Sequence, residues 1–182
     1  MRLPIITIPH PTLRKKSKPV TQVDKKVLEF IANLEETLQK KTNPQGVGLS
    51  APQVDKLWRI FTTFLPRENP VIHTFINPVV VDVSKKLTLG PNEKEPYLEG
   101  CLSIPKIYGP VLRHQSIKIK FSIINYQLSI TEKTSVFSGF PARVIQHELD
   151  HLDGILFTDR SIQQELPIYE EQRGKLVEIK LI

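Results

Sequence analysis

The chain has 182 residues, 40% of them apolar and 24% charged, proportions of an ordinary globular domain able to build a core of normal size. It contains no run of about eighteen apolar residues, which excludes a membrane-spanning helix, and its one cysteine, Cys101, excludes an internal disulfide and suits a reducing compartment. A net charge of +6 and a pI near 9.4 would suit attraction to nucleic acid or a ribosomal surface, but the lysines are scattered rather than packed in one tract, so the charge is read as solubility, with no specific nucleic-acid partner.

The first residues, MRLPIITIPHPTLRKKSKPV, lack the long apolar run of a secretory signal and are read as mature protein. Their basic cluster, Arg14, Lys15, Lys16 and Lys18, is interrupted by prolines. Residues 24–41 place Val27, Leu28, Ile31, Leu34 and Leu38 at helical spacing with charges opposite, and TNPQG ends that helix. Residues 57–64, 76–84 and 116–124 are rich in β-branched and aromatic side chains and read as strands. INYQLSIT reads as a tight hairpin leading into TSVFS, with Asn125 near its turn. The last residues, IYEEQ and KLVEIKLI on either side of an Arg-Gly turn, predict a terminal strand or hairpin. Helices and strands do not alternate, so the fold class is α+β: antiparallel and mixed strands packed around a central helix, in a single domain spanning residues 1–182.

That central helix is residues 141–153. Pro141 suits its first position, Ser138 or Gly139 can cap it, and Gly154 suits its end. It carries QHELDHLDG, with His147 and His151 four apart and Glu148 between them. At about 100° per residue the histidines fall about 40° apart on one face, at the edge of an apolar arc that Ile145, Leu149 and Leu152 continue into the core. Asp150 and Asp153 fall away from that arc, and Asp150 is expected to orient a neighbour or pair with a base such as Arg113. Each imidazole can offer a lone pair to a metal ion, and Glu148 can move a proton on water at that ion. His10, His73 and His114 lack ligand spacing and are expected on the surface or in loops.

A catalytic metal usually takes three protein ligands, and this helix supplies two. Downstream lie Asp153, Asp159, Glu165, Glu170, Glu171 and Glu178, but no histidine. Upstream, EGCLSIP holds Cys101, which can equally be a small buried hydrophobe. GVGLSAPQ, residues 46–53, exposes backbone to which an extended peptide could pair, or is simply a turn.

GVGLSAPQ, EGCLSIP and QHELDHLDG, in this order and at these separations, closely resemble the three signature motifs of the peptide deformylases. The resemblance covers most of the chain, including IPHPTLRKKSKPV and INPVVV. It implies a cytoplasmic hydrolase that removes the formyl group from the N-terminal formylmethionine of nascent polypeptides and releases formate. It implies Cys101, His147 and His151 as ligands of Fe²⁺, which Zn²⁺, Ni²⁺ or Co²⁺ can replace, with water in the fourth position. Glu148 would be the general acid and base, and the Gln53 amide and the Leu102 N–H would receive the developing oxyanion. The substrate would lie extended along Val47 and Gly48, its methionine side chain among Phe140, Val144 and the stem of Arg143, with Glu99 at the pocket edge. Ser50 stands where the family commonly has alanine, Lys106 or Tyr108 where an arginine is common, and GFPAR brings Phe140 where leucines are usual. The tail lacks the long basic helix with which some members are thought to dock on the ribosome, which leaves a transient ribosome contact open.

Overall fold

The computed structural model describes residues 1–65, 71–91, 95–124 and 130–179. After a 3-10 turn at Pro11–Arg14 comes helix α1 (Lys25–Gln39), then β1 (Gly48–Ser50), a second 3-10 turn (Ala51–Val54), β2 (Ile60–Phe64) and β3 (Ile72–Val83). Next come β4 (Leu87–Thr88), β5 (Leu98–Cys101), β6 (Ile104–Pro110), β7 (Arg113–His114), β8 (Ser116–Ile124) and β9 (Ile130–Ser138). Helices α2 (Phe140–Leu152) and α3 (Phe157–Gln163) precede a terminal pair, β10 (Ile168–Gln172) and β11 (Lys175–Ile179).

One sheet has the strand order β1-β2-β3-β8-β9, a second β11-β10-β6-β5, and β4 pairs with β7 alone. Every strand pairing among the described residues is antiparallel. The mixed pairing expected is confined to one isolated parallel bridge, Lys18 with Trp58.

The first sheet is covered on both faces, and strand alternation shows how. Ile60 and Ile76 join Val27, Ile31, Leu34 and Leu38 of α1 in one cluster. Their neighbours Phe61 and Phe75 point the other way and pack with Ile145, Leu149 and Leu152 of α2. The Phe61 and Phe75 rings stack at 4.6 Å. A third cluster, Leu13, Ile104, Val111, Leu156 and Phe157, joins the second sheet to α3 and the N-terminal segment. Helix α2 therefore lies against the first sheet on one side and meets β5 of the second on the other.

Helix α1 starts one residue later than its pattern suggests, because Asp24 is its cap and accepts from the Val27 N–H at 2.9 Å. Helix α2 starts at Phe140 and is capped by Gly139 rather than Ser138. Residues 57–59 precede β2 because Trp58 is engaged with Lys18, and β3 begins four residues before the predicted 76. The predicted turn around Asn125 lies outside the described residues, and the strands on either side of it pair from Ser116–Ser138 to Ile124–Ile130. The C-terminal hairpin forms, closed by Arg173 and Gly174 with φ of 51° and 76°, the left-handed pair that a two-residue turn between twisted strands needs. Its first strand then docks on β6 through Tyr169–Tyr108 and Glu170–Ile107. Helix α3 has no counterpart in the predicted elements.

Candidate metal centre

One turn of α2 separates His147 from His151, and their rings stand 4.9 Å apart at 73°. Cys101 arrives at the end of β5, its Sγ 3.1 Å from His151 Nε2. The ligand atoms of Cys101, His147 and His151 lie within 4.8 Å of one another. A sulfur and two imidazole nitrogens would suit as the donor set of a borderline divalent ion.

The surroundings fit such an ion. Glu99 Oε2 lies 2.9 Å from His147 Nδ1, which holds the ring in one orientation and turns its other nitrogen toward the cysteine, the usual support of a metal-binding histidine. His151 is 1% exposed, and its Nδ1 has no hydrogen-bond partner among the described residues. Burial disfavours charge on His147, yet the adjoining Cys101 and Glu99 outweigh it and hold its pKa well above the ordinary value. Burial, together with His147 and Arg113, drives His151 well below. His151 is thereby held neutral, the form that ligates a metal, whereas His147 would release its proton as an ion binds.

Glu99 has a larger structural part than a place at the pocket edge. It is 7% exposed and receives Arg113 at 2.8 and 2.9 Å, Arg143 at 2.9 Å and His147. Burial raises its pKa, but Arg113 prevails and holds the carboxyl ionised well below the usual range. Arg113 reaches on to Asp150, which Arg160 also holds at 2.6 Å. Asp150 is consequently buried, because α3 and β7 cover the side of α2 away from its apolar arc. Its pairing with Arg113 is as expected. Gln146 completes that side by bonding the His114 N–H and C=O at 3.0 and 2.9 Å.

A cavity of about 660 Å³ opens beside the Cys101–His147 pair. It brings together Val47, Gly48, Gln53, Glu99, Leu102, Phe140, Arg143, Val144 and Glu148. Leu102 follows Cys101 in the turn between β5 and β6. Arg143 presents its stem, because its guanidinium is bound to Glu99 and to the carbonyls of Val111 and Thr88. Tyr97, which no sequence pattern singles out, meets the Phe140 ring edge-on at 5.5 Å. Tyr108 and Lys106 line the mouth, with Glu171 of the terminal hairpin 3.3 Å from the Tyr108 hydroxyl.

Glu148 is 3% exposed, and its Oε2 has no partner among the described residues. Burial pushes its pKa up to about 7, against the opposing pull of His147 and the Ser50 hydroxyl. Strand β1 passes so near that a Cβ on Gly48 would stand 2.2 Å from Glu148 Oε1, so any larger residue there would force the Glu148 side chain or the strand to shift. Gln53 is 1% exposed, with Nε2 3.4 Å from Cys101 Sγ and 3.3 Å from Ser103 Oγ. Of the other histidines, His73 is exposed in β3, His10 accepts from the Thr12 N–H, and His114 Nδ1 lies 2.7 Å from the Ser84 carbonyl.

A family described as Polypeptide deformylase matches residues 2–166. A peptide deformylase of Pelodictyon phaeoclathratiforme is 38% identical over 179 residues, covering 91% of this chain and 86% of that protein. The crystal structure of peptide deformylase from Thermotoga maritima matches with a TM-score of 0.71 at 35% identity, over 88% of this chain and 97% of that one. A class I type b peptide deformylase from Acinetobacter baumannii, solved with Met-Ala-Ser bound, matches with a TM-score of 0.73 at 30% identity, over 88% and 98%.

Proposed function

Since the chain belongs to the peptide deformylase family, we propose how its own residues carry out that family's reaction. The enzyme is a metal-dependent hydrolase that removes the N-formyl group from nascent polypeptides. Cys101, His147 and His151 would hold the ion, with Fe²⁺ as the native metal and Zn²⁺, Ni²⁺ or Co²⁺ as substitutes. A divalent ion so held acidifies water and polarises a carbonyl oxygen.

Glu148 takes the proton of the attacking water and returns it to the departing amine. A carboxyl buried until its pKa nears the working pH suits both halves of that task. As the formyl carbon becomes tetrahedral, its oxygen gains charge, which the Gln53 Nε2 donor and the Leu102 N–H would receive. The substrate backbone pairs along Val47 and Gly48. Strand β1 stands at the edge of its sheet and β5 at the edge of the other, so an added strand can lie between them. The methionine side chain enters among Phe140, Val144 and the Arg143 stem, bounded by Glu99. The reading further places this chemistry in a single catalytic domain, residues 1–182, in the cytoplasm, with a transient ribosome contact testable by cosedimentation.

The observation that carries the proposal is the convergence of Cys101, His147 and His151 beside the buried carboxylate of Glu148. Protein purified without oxygen and analysed for metal is expected to release formate from formyl-Met-Ala-Ser far faster than acetate from acetyl-Met-Ala-Ser. A faster acetyl reaction would overturn the formyl assignment. Iron recovered in near-equimolar amount supports Fe²⁺, whereas full activity with zinc alone would displace it.

A further inference from the structure

The Ser50 hydroxyl lies behind the Gln53 amide. Ser50 is 0% exposed and closes β1. Its Oγ donates to Gln53 Oε1 at 2.9 Å, and its backbone N–H donates to the same oxygen at 2.9 Å. At the far end of that amide, Nε2 faces the cavity beside Cys101. A hydroxyl has one proton, and both Gln53 Oε1, at 2.9 Å, and the Glu148 carboxyl lie within its reach.

We propose that Ser50 is a positioning residue for the reaction, its buried hydroxyl gripping Gln53 Oε1 so that Nε2 is held toward the reacting carbonyl as a strengthened donor. The proposal rests on the reading of Gln53 as an oxyanion donor. The backbone N–H at position 50 sets which end of the amide points inward, because it can only donate. The hydroxyl adds a second donor to the same carbonyl. Drawing electron density toward Oε1 makes the Nε2 protons better donors, a cooperative gain of roughly 10–30% per bond. It also removes the freedom of the amide to rock about its last torsion, which matters for a donor that must meet charge as it develops. Alanine would keep the backbone bond and lose both effects.

The test is a cycle of Ser50→Ala, Gln53→Ala and the double variant in the metal-loaded enzyme, with metal content and thermal midpoint checked for each. Gln53→Ala is expected to lower kcat roughly 10²- to 10³-fold. Ser50→Ala is expected to lower kcat roughly three- to tenfold with KM unchanged. In the Gln53→Ala background the same Ser50 substitution is expected to change kcat less than about twofold, because the group it acts through is gone. The side-chain amide protons of Gln53 should also move upfield in Ser50→Ala. A full loss from Gln53→Ala, with Ser50→Ala silent or equally costly in both backgrounds, overturns the Ser50 proposal alone. A Gln53→Ala variant with wild-type kcat overturns the oxyanion reading, and this proposal with it.

Discussion

Glu148 and Glu99 are two buried carboxylates with opposite assignments, and their surroundings account for the difference. Glu99 meets two guanidinium groups and stays ionised, whereas Glu148 has no such partner and its pKa rises to about 7. In the metal-free protein this makes Glu148 a cost to folding above the pKa it has when unfolded. The folded state binds the extra proton between about 4.5 and 7, so stability falls as pH rises through that window and the full penalty remains above it. Glu148→Gln is therefore expected to stabilise the metal-free protein by up to about 3 kcal/mol at pH 8 and by little at pH 4, checked by urea unfolding at both values. In the loaded enzyme the same substitution should cut kcat roughly 10²- to 10⁴-fold, measured as formate release. Glu99→Gln behaves differently. It breaks a buried ionic cluster and should cost about 3–5 kcal/mol, and with the His147 support weakened, metal affinity should drop roughly 10- to 100-fold, as read by chelator competition. The histidines and Glu148 are legible in the sequence because their relation is one helical turn. The hold of Glu99 on His147 spans 48 residues and depends on how β5 lies against α2, which no local pattern records.

At the scale of elements, the long amphipathic segments are readable and the short ones that build the cavity are not. Helix α1 shows its buried face over 15 residues, although its pattern took the Asp24 cap into the helix, and β8 runs over the predicted 116–124. Strand β1 has three residues, and α3 has seven, too few for a period to register. Strand β1 is recognisable only through its motif, and its glycine has a steric cause that appears once α2 is in place. Gly48→Ala is expected to push β1 away from Glu148 at a cost of about 1–3 kcal/mol, seen in the urea midpoint. It should also lose activity beyond what the stability change explains, because the same displacement moves the edge proposed to carry the substrate.

For the whole molecule, the three proposed ligands come from parts that have separate hydrophobic clusters. His147 and His151 ride on α2, packed against the first sheet, while Cys101 ends a strand of the second. A metal held 1,000-fold above its dissociation constant adds about 4 kcal/mol, so chelation is expected to lower the thermal midpoint by roughly 8–16 °C, measured by circular dichroism under anaerobic conditions. The ion is then a clasp between two leaves of the molecule as well as a reagent. Stripping it should loosen the seam before either leaf melts. Deuterium uptake should rise first around β5 and β6, with α1 and the centre of the first sheet still protected.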